Sequence, residues 1–201
     1  MMGKPLPDSS LDQLFRDART RRGWTDEETP EVLIRATYDL LKLGPTASNI
    51  TPARFLFVRS TEAKARLEPH LDEGNRKQTM AAPWTAIVAY DLAFADHLTK
   101  LIPHAPNAKD WFAEPKNAEW NAMQSGTLQG GYLILAARSL GLDCGPMNGF
   151  RREGVDKEFF GADPVMKTWR SSFLVNIGHG DDTRVRPRAP RLDFEEACRI
   201  L

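Results

Sequence analysis

The chain has 201 residues, of which 41% are hydrophobic and 27% are charged, and its 27 basic and 27 acidic side chains give a formal net charge of zero. This is the composition of an ordinary globular protein, and the balanced charge gives no general attraction to nucleic acid or to an anionic membrane. The length favours one domain over residues 1–201. No stretch approaches the roughly 18 apolar residues of a membrane span, and residues 1–10 lack the apolar core of a signal peptide, so we expect a cytoplasmic protein.

The first part of the chain carries two helical patterns. Apolar residues after Ser9 and Ser10 recur at the i, i+3, i+4 and i+7 spacing of one helical face, which predicts a helix that stops at Gly23. Thr29-Pro30 is typical of a second helix start, and Gly44-Pro45 is typical of its end. The predicted buried face of this second helix consists of Leu33, Ala36, Thr37 and Leu40.

The rest of the chain predicts a few strands between further helices. Apolar runs indicate three short buried strands, at 55–59, 85–90 and 172–177. A long central helix is predicted at 117–140, with an apolar stripe that includes Met123, Leu128, Leu135 and Ala136. Shorter helices are predicted at 61–70, at 92–101 and after the capping-box sequence at Asp193. Because helices outnumber strands, we expect an α+β domain, or a mixed α/β one, in which helices pack around a small sheet.

Cysteine and histidine usage argues against a metal site. Cys144 and Cys198 are the only cysteines in the sequence, and they show no spacing typical of metal ligands. We expect both to be buried, reduced thiols rather than a disulfide or a metal site. His97 and His104 lie seven residues apart, and we expect them on the surface or in loops.

The segment Gly141–Phe150, with the sequence GLDCGPMNGF, follows the long predicted helix. From Gly145 onwards it has no side chain that titrates near neutral pH, so it offers main-chain N–H and C=O groups rather than an acid or a nucleophile. This suits a protein whose chemistry belongs to a bound cofactor. The sequence contains no GxxxxGK[ST] phosphate loop, no strand-linked GxGxxG and no GxSxG nucleophile turn.

A cofactor phosphate without a glycine-rich loop would need guanidinium partners. Arginines concentrate in two places, after the first predicted helix at 19–22 and in the proline-punctuated tail at 184–191. Plain solvated surface charge is the alternative explanation of both groups. The turn-rich loop 45–52 and Asn75 also have two interpretations, as local turn-forming residues or as hydrogen-bonding partners of a ligand.

Taken in order along the chain, these segments resemble the FMN-dependent nitroreductase family. The resemblance extends from about Leu14 to Cys198 and is closest to the branch that contains the malonic semialdehyde reductase of pyrimidine degradation. The resemblance rests on the order and number of the motifs rather than on any single one. The motifs are Arg-Thr at 19–20, Pro-Thr-Ala-Ser-Asn at 45–49, Gly-Asn at 74–75, the segment 141–150, Asn-Ile-Gly-x-Gly-Asp at 176–181 and Arg-x-Pro-Arg-Leu at 188–192.

The resemblance implies an α+β fold with a small mixed sheet surrounded by helices, assembled as an intertwined homodimer. Each end of the subunit interface would hold one FMN, contacted by both chains. The implied phosphate partners are Arg19, Thr20, Arg22, Arg186 and Arg188. The loop residues that would approach the flavin of the partner subunit are Pro45, Thr46, Ala47 and Asn49. The residues at the ring would be Asn75 at its pyrimidine edge and Pro146, Met147, Asn148 and Gly149 along one face, with the backbone of the last two near N5 and O4.

This sequence departs from the family pattern at two positions. Many members have Arg-Arg-Ser where this chain has Ala18-Arg19-Thr20, and many have a lysine where Gln78 stands. The second difference bears on the positive charge near the N1 and O2 edge of the flavin.

The resemblance further implies an NAD(P)H-dependent oxidoreductase. NADH or NADPH would pass a hydride to flavin N5, and a small oxidised substrate such as malonic semialdehyde would then receive it, with no catalytic side chain required. Trp111 and Phe112 would form a lid over the substrate, or else would simply pack as two aromatic residues. The alternatives are a broad reductase of nitroaromatics or quinones, a flavin-binding protein without turnover, and a helical interaction protein that binds no flavin.

Overall fold

The computed structural model describes residues 3–201. In chain order its helices and strands are α1 (Asp8–Leu11), α2 (Glu31–Leu41), β1 (Ala53–Val58), α3 (Thr61–Leu67), α4 (Glu73–Ala81), β2 (Trp84–Asp91), α5 (Leu98–Leu101), α6 (Pro115–Ser139), β3 (Asp143–Met147), α7 (Arg152–Val155), β4 (Trp169–Gly178) and α8 (Phe194–Ala197). Short 3₁₀ and π turns extend several of them, notably Asp12–Arg16 after α1 and Asp156–Phe160 after α7. The α+β class is therefore confirmed.

The four strands form one sheet in the order β1-β2-β4-β3. All three strand pairs are antiparallel, with Leu56 opposite Ile87 and Pro146 opposite Val175. The expectation of a mixed sheet is therefore wrong for these strands. The parallel pairing found among residues 3–201 is a single isolated bridge outside the strand pairs, between Thr20 and Cys144. β3 pairs only with β4, so it forms an edge of the sheet, and an edge strand tolerates the missing amide of Pro146.

Alternation along the strands sends side chains to two separate cores. Val88 and Val175 face α2 and α6, in a cluster with Ile34, Leu41 and Leu133. Ile87 and Leu174 face α3 and α7 on the opposite side of the sheet, in a cluster with Leu67, Phe150 and Phe160. The sheet is thus the middle layer, and its two faces are covered by different helices.

The long helix α6 begins at a well-formed cap. The Glu114 side chain accepts hydrogen bonds from the amides of Lys116 at 3.1 Å and Asn117 at 2.6 Å. Further along, Gly130 lies so close to the sheet that a methyl group there would approach the Phe173 ring to 2.4 Å. The absence of a side chain at this position lets the helix axis come close to β4.

The predicted apolar stripe of α6 is only partly buried. Ala136 is buried, whereas Leu128 is 46% exposed and Met123 is 38% exposed. Leu40 of α2 is 45% exposed, although the periodicity placed it on the buried face. The same explanation applies to Leu128, Met123 and Leu40. Helical periodicity identifies an apolar face, but that face can be directed away from the core of its own chain.

The first helix ends earlier than predicted, because the chain after Arg16 pairs with β3 instead of continuing to Gly23 as a helix. The Arg21 amide donates to the Cys144 carbonyl at 3.0 Å, beside the bridge formed by Thr20. Cys144 is buried as expected and Cys198 is exposed, which corrects that part of the prediction; both are free thiols. Within residues 3–201 no helix is long and apolar enough to cross a membrane.

Candidate active site

An arginine-rich cleft of about 780 Å³ lies between the segment after α1 and the C-terminal tail. It brings together the two arginine groups that the sequence holds far apart. The residues that line it are Phe15, Arg16, Ala18, Arg19, Thr20, Arg22, Arg138, Arg186, Pro187, Arg188, Ala189 and Arg191. Seven of these residues are arginines, and such a concentration of guanidinium groups suits an anion with several oxygens.

The arginines of the cleft have different roles. Arg188 donates to the carbonyl of Ala18 at 3.0 Å and also to that of Arg16, and Arg19 donates to the carbonyl of Arg186. Arg19 and Arg188 therefore hold the two walls together. The guanidinium groups of Arg22 and Arg186 make no hydrogen bond or ion pair to the described part of the chain, which leaves them available to a ligand.

A smaller cavity of about 230 Å³ continues from the cleft, because Thr20 and Arg22 line both. Its other walls come from the end of β3 and from α4, and they consist of Arg21, Asn75, Gln78, Gly145, Pro146, Met147 and Asn148. Amide groups and backbone therefore dominate it. None of these lining residues is a carboxylate, a histidine or a cysteine, so the cavity can position a polar planar ring but holds no side-chain acid or nucleophile.

Asn75, Gln78 and Gly149 form a connected set at the cavity. Asn75 Nδ2 donates to the Gly149 carbonyl at 3.0 Å, and the Asp72 amide donates to the same oxygen at 3.0 Å. Gln78 Nε2 in turn donates to Asn75 Oδ1 at 2.7 Å. A methyl group at Gly149 would lie 2.2 Å from Asn75 Nδ2, so the close approach requires glycine. Gln78 thus fixes the orientation of the Asn75 amide.

Arg21 is a residue of this region that sequence reasoning did not select. Its Nε lies 3.0 Å from Asp143 Oδ1, and its Nη1 pairs with Asp182. A methyl group at Gly145 would lie 2.5 Å from the Arg21 carbonyl oxygen. Arg21 is thus engaged with two carboxylates and anchors the chain against β3, which leaves ligand contacts to its neighbours.

Cys144 adjoins the cavity but takes no part in its chemistry. The thiol is fully buried, and burial raises its pKa to about 12. A thiolate is the reactive form of cysteine, so this side chain is inert near neutral pH.

The loop at 45–49 lies away from both cavities of its own chain. Tyr132 Oη donates to the Pro45 carbonyl at 3.0 Å, and Asn49 Nδ2 donates to the Leu101 carbonyl at 3.0 Å. Ser48 and Asn49 have left-handed backbone conformations, with φ of 45° and 55°. Such conformations cost about 1 to 3 kcal/mol each and are common where a loop contacts a ligand. Thr46 and Ala47 share this placement, so within one chain the predicted loop residues do not join the other site residues.

Trp111 and Phe112 also lie outside the lining of both cavities. Phe112 packs edge-to-face on Phe94, with ring centroids 5.0 Å apart, whereas Trp111 is 48% exposed. Within one chain the structure therefore favours packing for Phe112 and leaves Trp111 open to another molecule.

A third cavity, of about 460 Å³, lies between α6 and β4. Arg152 lines it and connects it to the smaller cavity, because Arg152 Nη2 donates to Asn148 Oδ1 at 3.3 Å. Arg152 Nε donates to the Ser172 carbonyl at 3.1 Å, and the guanidinium lies 5.5 Å from the centroid of the Phe150 ring. Within residues 3–201 Arg152 pairs with no carboxylate, and exposed Trp120 also lines this cavity.

An arginine cleft that opens into an amide-lined pocket beside an antiparallel sheet is suited to a ligand that carries both a phosphate and a planar polar ring. Comparison with known proteins gives the family. Residues 2–179 match the model of the nitroreductase family, and the chain belongs to this family.

Curated relatives match almost the whole chain. A protein of Caulobacter sp. (strain K31), provisionally named NADH dehydrogenase/NAD(P)H nitroreductase, is 53% identical over 196 residues, which is 98% of each chain. A protein of the same name from Stenotrophomonas maltophilia (strain R551-3) is 52% identical over 200 residues, which covers 99% of this chain and 100% of the relative.

The fold is shared with solved structures of low sequence identity. A provisionally named nitroreductase of Exiguobacterium sibiricum 255-15, crystallised in complex with FMN, superposes with a TM-score of 0.85 at 19% identity, over 100% of both chains. The nitroreductase-like fold is therefore confirmed.

Proposed function

We propose that this protein is one FMN-binding domain over residues 1–201 that acts as an NAD(P)H-dependent oxidoreductase. The observation that supports this most directly is the continuity of the arginine cleft with the amide-lined cavity at Thr20 and Arg22. The names of the curated relatives and the FMN in the solved neighbour support the same chemistry. Bound FMN would accept a hydride from NADH or NADPH at N5 and deliver it to an oxidised substrate.

The residues of the chain would supply binding and orientation. Arg22 and Arg186, with Arg19, Thr20 and Arg188 around them, would hold the phosphate through charge-assisted hydrogen bonds. Asn75, held by Gln78, would meet the polar edge of the ring. The backbone at 146–149 would support one face, with the backbone groups of Asn148 and Gly149 near N5 and O4. Since the lining of the smaller cavity has no acid, protons would come from solvent.

We propose that the site is completed by a second copy of this chain. The loop residues Pro45, Thr46, Ala47 and Asn49 lie away from their own chain's cavities, and their strained backbone suits a ligand contact in the partner. Exposed apolar side chains on α2, on the turn that follows it and on α6 provide a surface for dimerisation, and they include Leu40, Leu43, Trp120, Met123 and Leu128. Light scattering should then give twice the chain mass of 22.6 kDa, and a mass equal to one chain would contradict the proposal.

We propose malonic semialdehyde as the substrate, and Arg152 is the observation that favours it. This guanidinium lacks a carboxylate partner within residues 3–201 and contacts Asn148, which lines the smaller cavity. It could therefore pair with the carboxylate of a short acid while the aldehyde group lies towards the flavin. The product would be 3-hydroxypropionate. A broad nitroaromatic or quinone reductase remains the second candidate, favoured by the exposed aromatic wall at Trp120.

Arg152→Gln separates these two candidates. For malonic semialdehyde we expect KM to rise at least tenfold with a smaller change in kcat, because a charge-assisted contact is lost on binding. For an uncharged quinone we expect KM to change less than twofold. An equal effect on both substrates would show that Arg152 does not recognise the carboxylate. Arg170→Gln is a matched control, since within residues 3–201 the Arg170 side chain bonds only to the local carbonyls of Lys167 and Trp169.

An absorption spectrum tests the cofactor itself. The purified protein should show flavin bands that bleach anaerobically on addition of NADH or NADPH, and the rates of bleaching rank the two donors. A protein that carries flavin but is not reduced by either nucleotide would be a flavin carrier or sensor. A colourless protein that takes up no added FMN would overturn the proposal.

A further inference from the structure

Lys64 on α3 is a buried lysine that the proposed site does not use. The residue is 4% exposed, and within residues 3–201 its ammonium group pairs with no carboxylate. It is held by three neutral acceptors, because Nζ donates to the carbonyls of Thr79 at 2.6 Å and Ala82 at 2.7 Å and to Thr85 Oγ1 at 3.1 Å. Burial lowers the pKa of Lys64 to about 8. A buried charge without a counter-ion costs stability, so this arrangement calls for a functional explanation.

A chain of buried hydrogen bonds leads from Lys64 to the smaller cavity. Thr85 Oγ1, which accepts from Lys64, donates to Asn176 Oδ1 at 2.7 Å. Asn176 Nδ2 donates to Thr79 Oγ1 at 3.2 Å, and Thr79 Oγ1 donates to Met147 Sδ at 3.4 Å. Thr85, Asn176 and Thr79 are fully buried, and Met147 lines the cavity.

We call this chain of hydrogen bonds from Lys64 through Thr85, Asn176 and Thr79 to Met147 the relay. All its donors point the same way, from the ammonium group towards Met147. Hydrogen bonds aligned in this manner polarise one another, and the low dielectric of the interior strengthens the effect. The positive end of the relay therefore faces the cavity wall, although the charge itself lies deeper in the protein.

Lys64 also fixes the end of α4. Two of its acceptors are carbonyls of the last turn of this helix and the residue after it, where a cation interacts favourably with the helix dipole. The same helix carries Asn75 and Gln78, whose amides form another wall of the cavity. One side chain thus controls two walls, one through the relay and one through the helix.

We propose that Lys64 is a positioning residue whose buried positive charge, carried by the relay through Thr85, Asn176 and Thr79, favours bound FMN in its reduced over its oxidised state. This inference rests on the proposed function. Hydride transfer from NAD(P)H adds two electrons and one proton to the ring and so leaves it one negative charge, while the nicotinamide becomes positively charged. A positive potential at the cavity wall stabilises that negative charge.

The midpoint potential of bound FMN in Lys64→Met tests the inference. We expect about a tenfold loss in the preference for reduced over oxidised FMN, which lowers the potential by about 30 mV for a two-electron couple. Lys157→Met removes one positive charge from an exposed position and should leave the potential unchanged. If Lys64 only supported α4, both redox states would bind more weakly by the same factor, and an unchanged potential would overturn the inference.

Thr85→Val provides a second test that keeps Lys64 and its two carbonyl acceptors but interrupts the relay. We expect the potential to fall in the same direction, by less than in Lys64→Met. An unchanged potential in this variant overturns the inference even if Lys64→Met does not fold. A wild-type protein that binds no FMN would instead overturn the proposed function, and the inference with it.

Discussion

Gly149 shows how closely one residue can control the smaller cavity. Its missing side chain lets Asn75 Nδ2 reach the Gly149 carbonyl, and a methyl group would overlap that nitrogen at 2.2 Å and approach Asp72 Oδ2 to 2.9 Å. Asn75 is itself held by Gln78. Any side chain at 149 must therefore displace an amide that is part of the cavity wall.

Gly149→Ala should weaken FMN binding at least tenfold, which is about 1.4 kcal/mol, the expected effect of losing one hydrogen bond and of moving the Asn75 side chain. FMN titration followed by flavin fluorescence measures this. Gly74→Ala is the matched control, because a methyl group there meets nothing within 4 Å and lies on the same helix as Asn75. Equal affinity in the two variants would show that the Gly149–Asn75 contact does not shape the flavin site.

At the scale of segments, the cleft is built from two irregular stretches rather than from helices or strands. The stretch after α1 is anchored on β3 through Arg21. The tail is anchored on that stretch through Arg188. The arginine cleft therefore exists only while these long-range contacts hold.

Arg188→Ala should loosen the tail and weaken FMN binding about tenfold, which is about 1.4 kcal/mol. The same variant tests the predicted phosphate role of Arg188. FMN affinity would fall whether the variant loses a direct contact with the phosphate or loses one wall of the cleft. Isothermal titration with FMN provides the measurement. Arg199→Ala is the control, since in the described part of the chain the Arg199 side chain bonds only to the nearby carbonyls of Glu195 and Cys198. An unchanged affinity in Arg188→Ala would remove the tail from the phosphate site.

The helices and strands were predictable from sequence where local chemistry determines them. β1, β2 and β4 follow apolar runs, and α6 follows a long stretch without proline, so all four were predicted to within a few residues. β3 and α4 were missed. β3 contains Gly145 and Pro146 and becomes a strand only through its pairing with β4. α4 has few apolar residues, and its end is fixed by contacts to Lys64, distant in sequence.

The candidate site was likewise predictable only in part from the sequence. Thr20, Arg22, Asn75 and the segment 146–148, which the motif order grouped together, line one cavity. Their contacts with a flavin stay a prediction. The roles of Gln78, Arg21 and Arg152 could not be read from the sequence, because each depends on a partner that only the folded chain brings near. Arg21 and Asp182, for example, form an ion pair although they lie far apart in the sequence.

At the scale of the whole molecule, the buried charge of Lys64 should make stability depend on pH. Its pKa is about 8 in the folded chain, against 10.5 without burial. Below pH 8 the ammonium group is charged in both states, so the cost of burying it is fully present. Between pH 8 and 10.5 the unfolded chain keeps the proton that the folded chain has released. The unfolded state then binds more protons, so the free energy of unfolding rises with pH.

The difference in unfolding free energy between wild type and Lys64→Met isolates this effect, because all other titrations are common to both proteins. We expect the difference to shift in favour of the wild type by about 2 to 3 kcal/mol between pH 7 and pH 10, since one pKa unit is about 1.4 kcal/mol. Urea titrations at one fixed protein concentration provide the measurement, because stability of a dimer depends on concentration. Lys157→Met should show no such shift. A difference between wild type and Lys64→Met that stayed constant over this range would mean that Lys64 keeps an ordinary proton affinity in the folded protein, with its three acceptors offsetting the cost of burial.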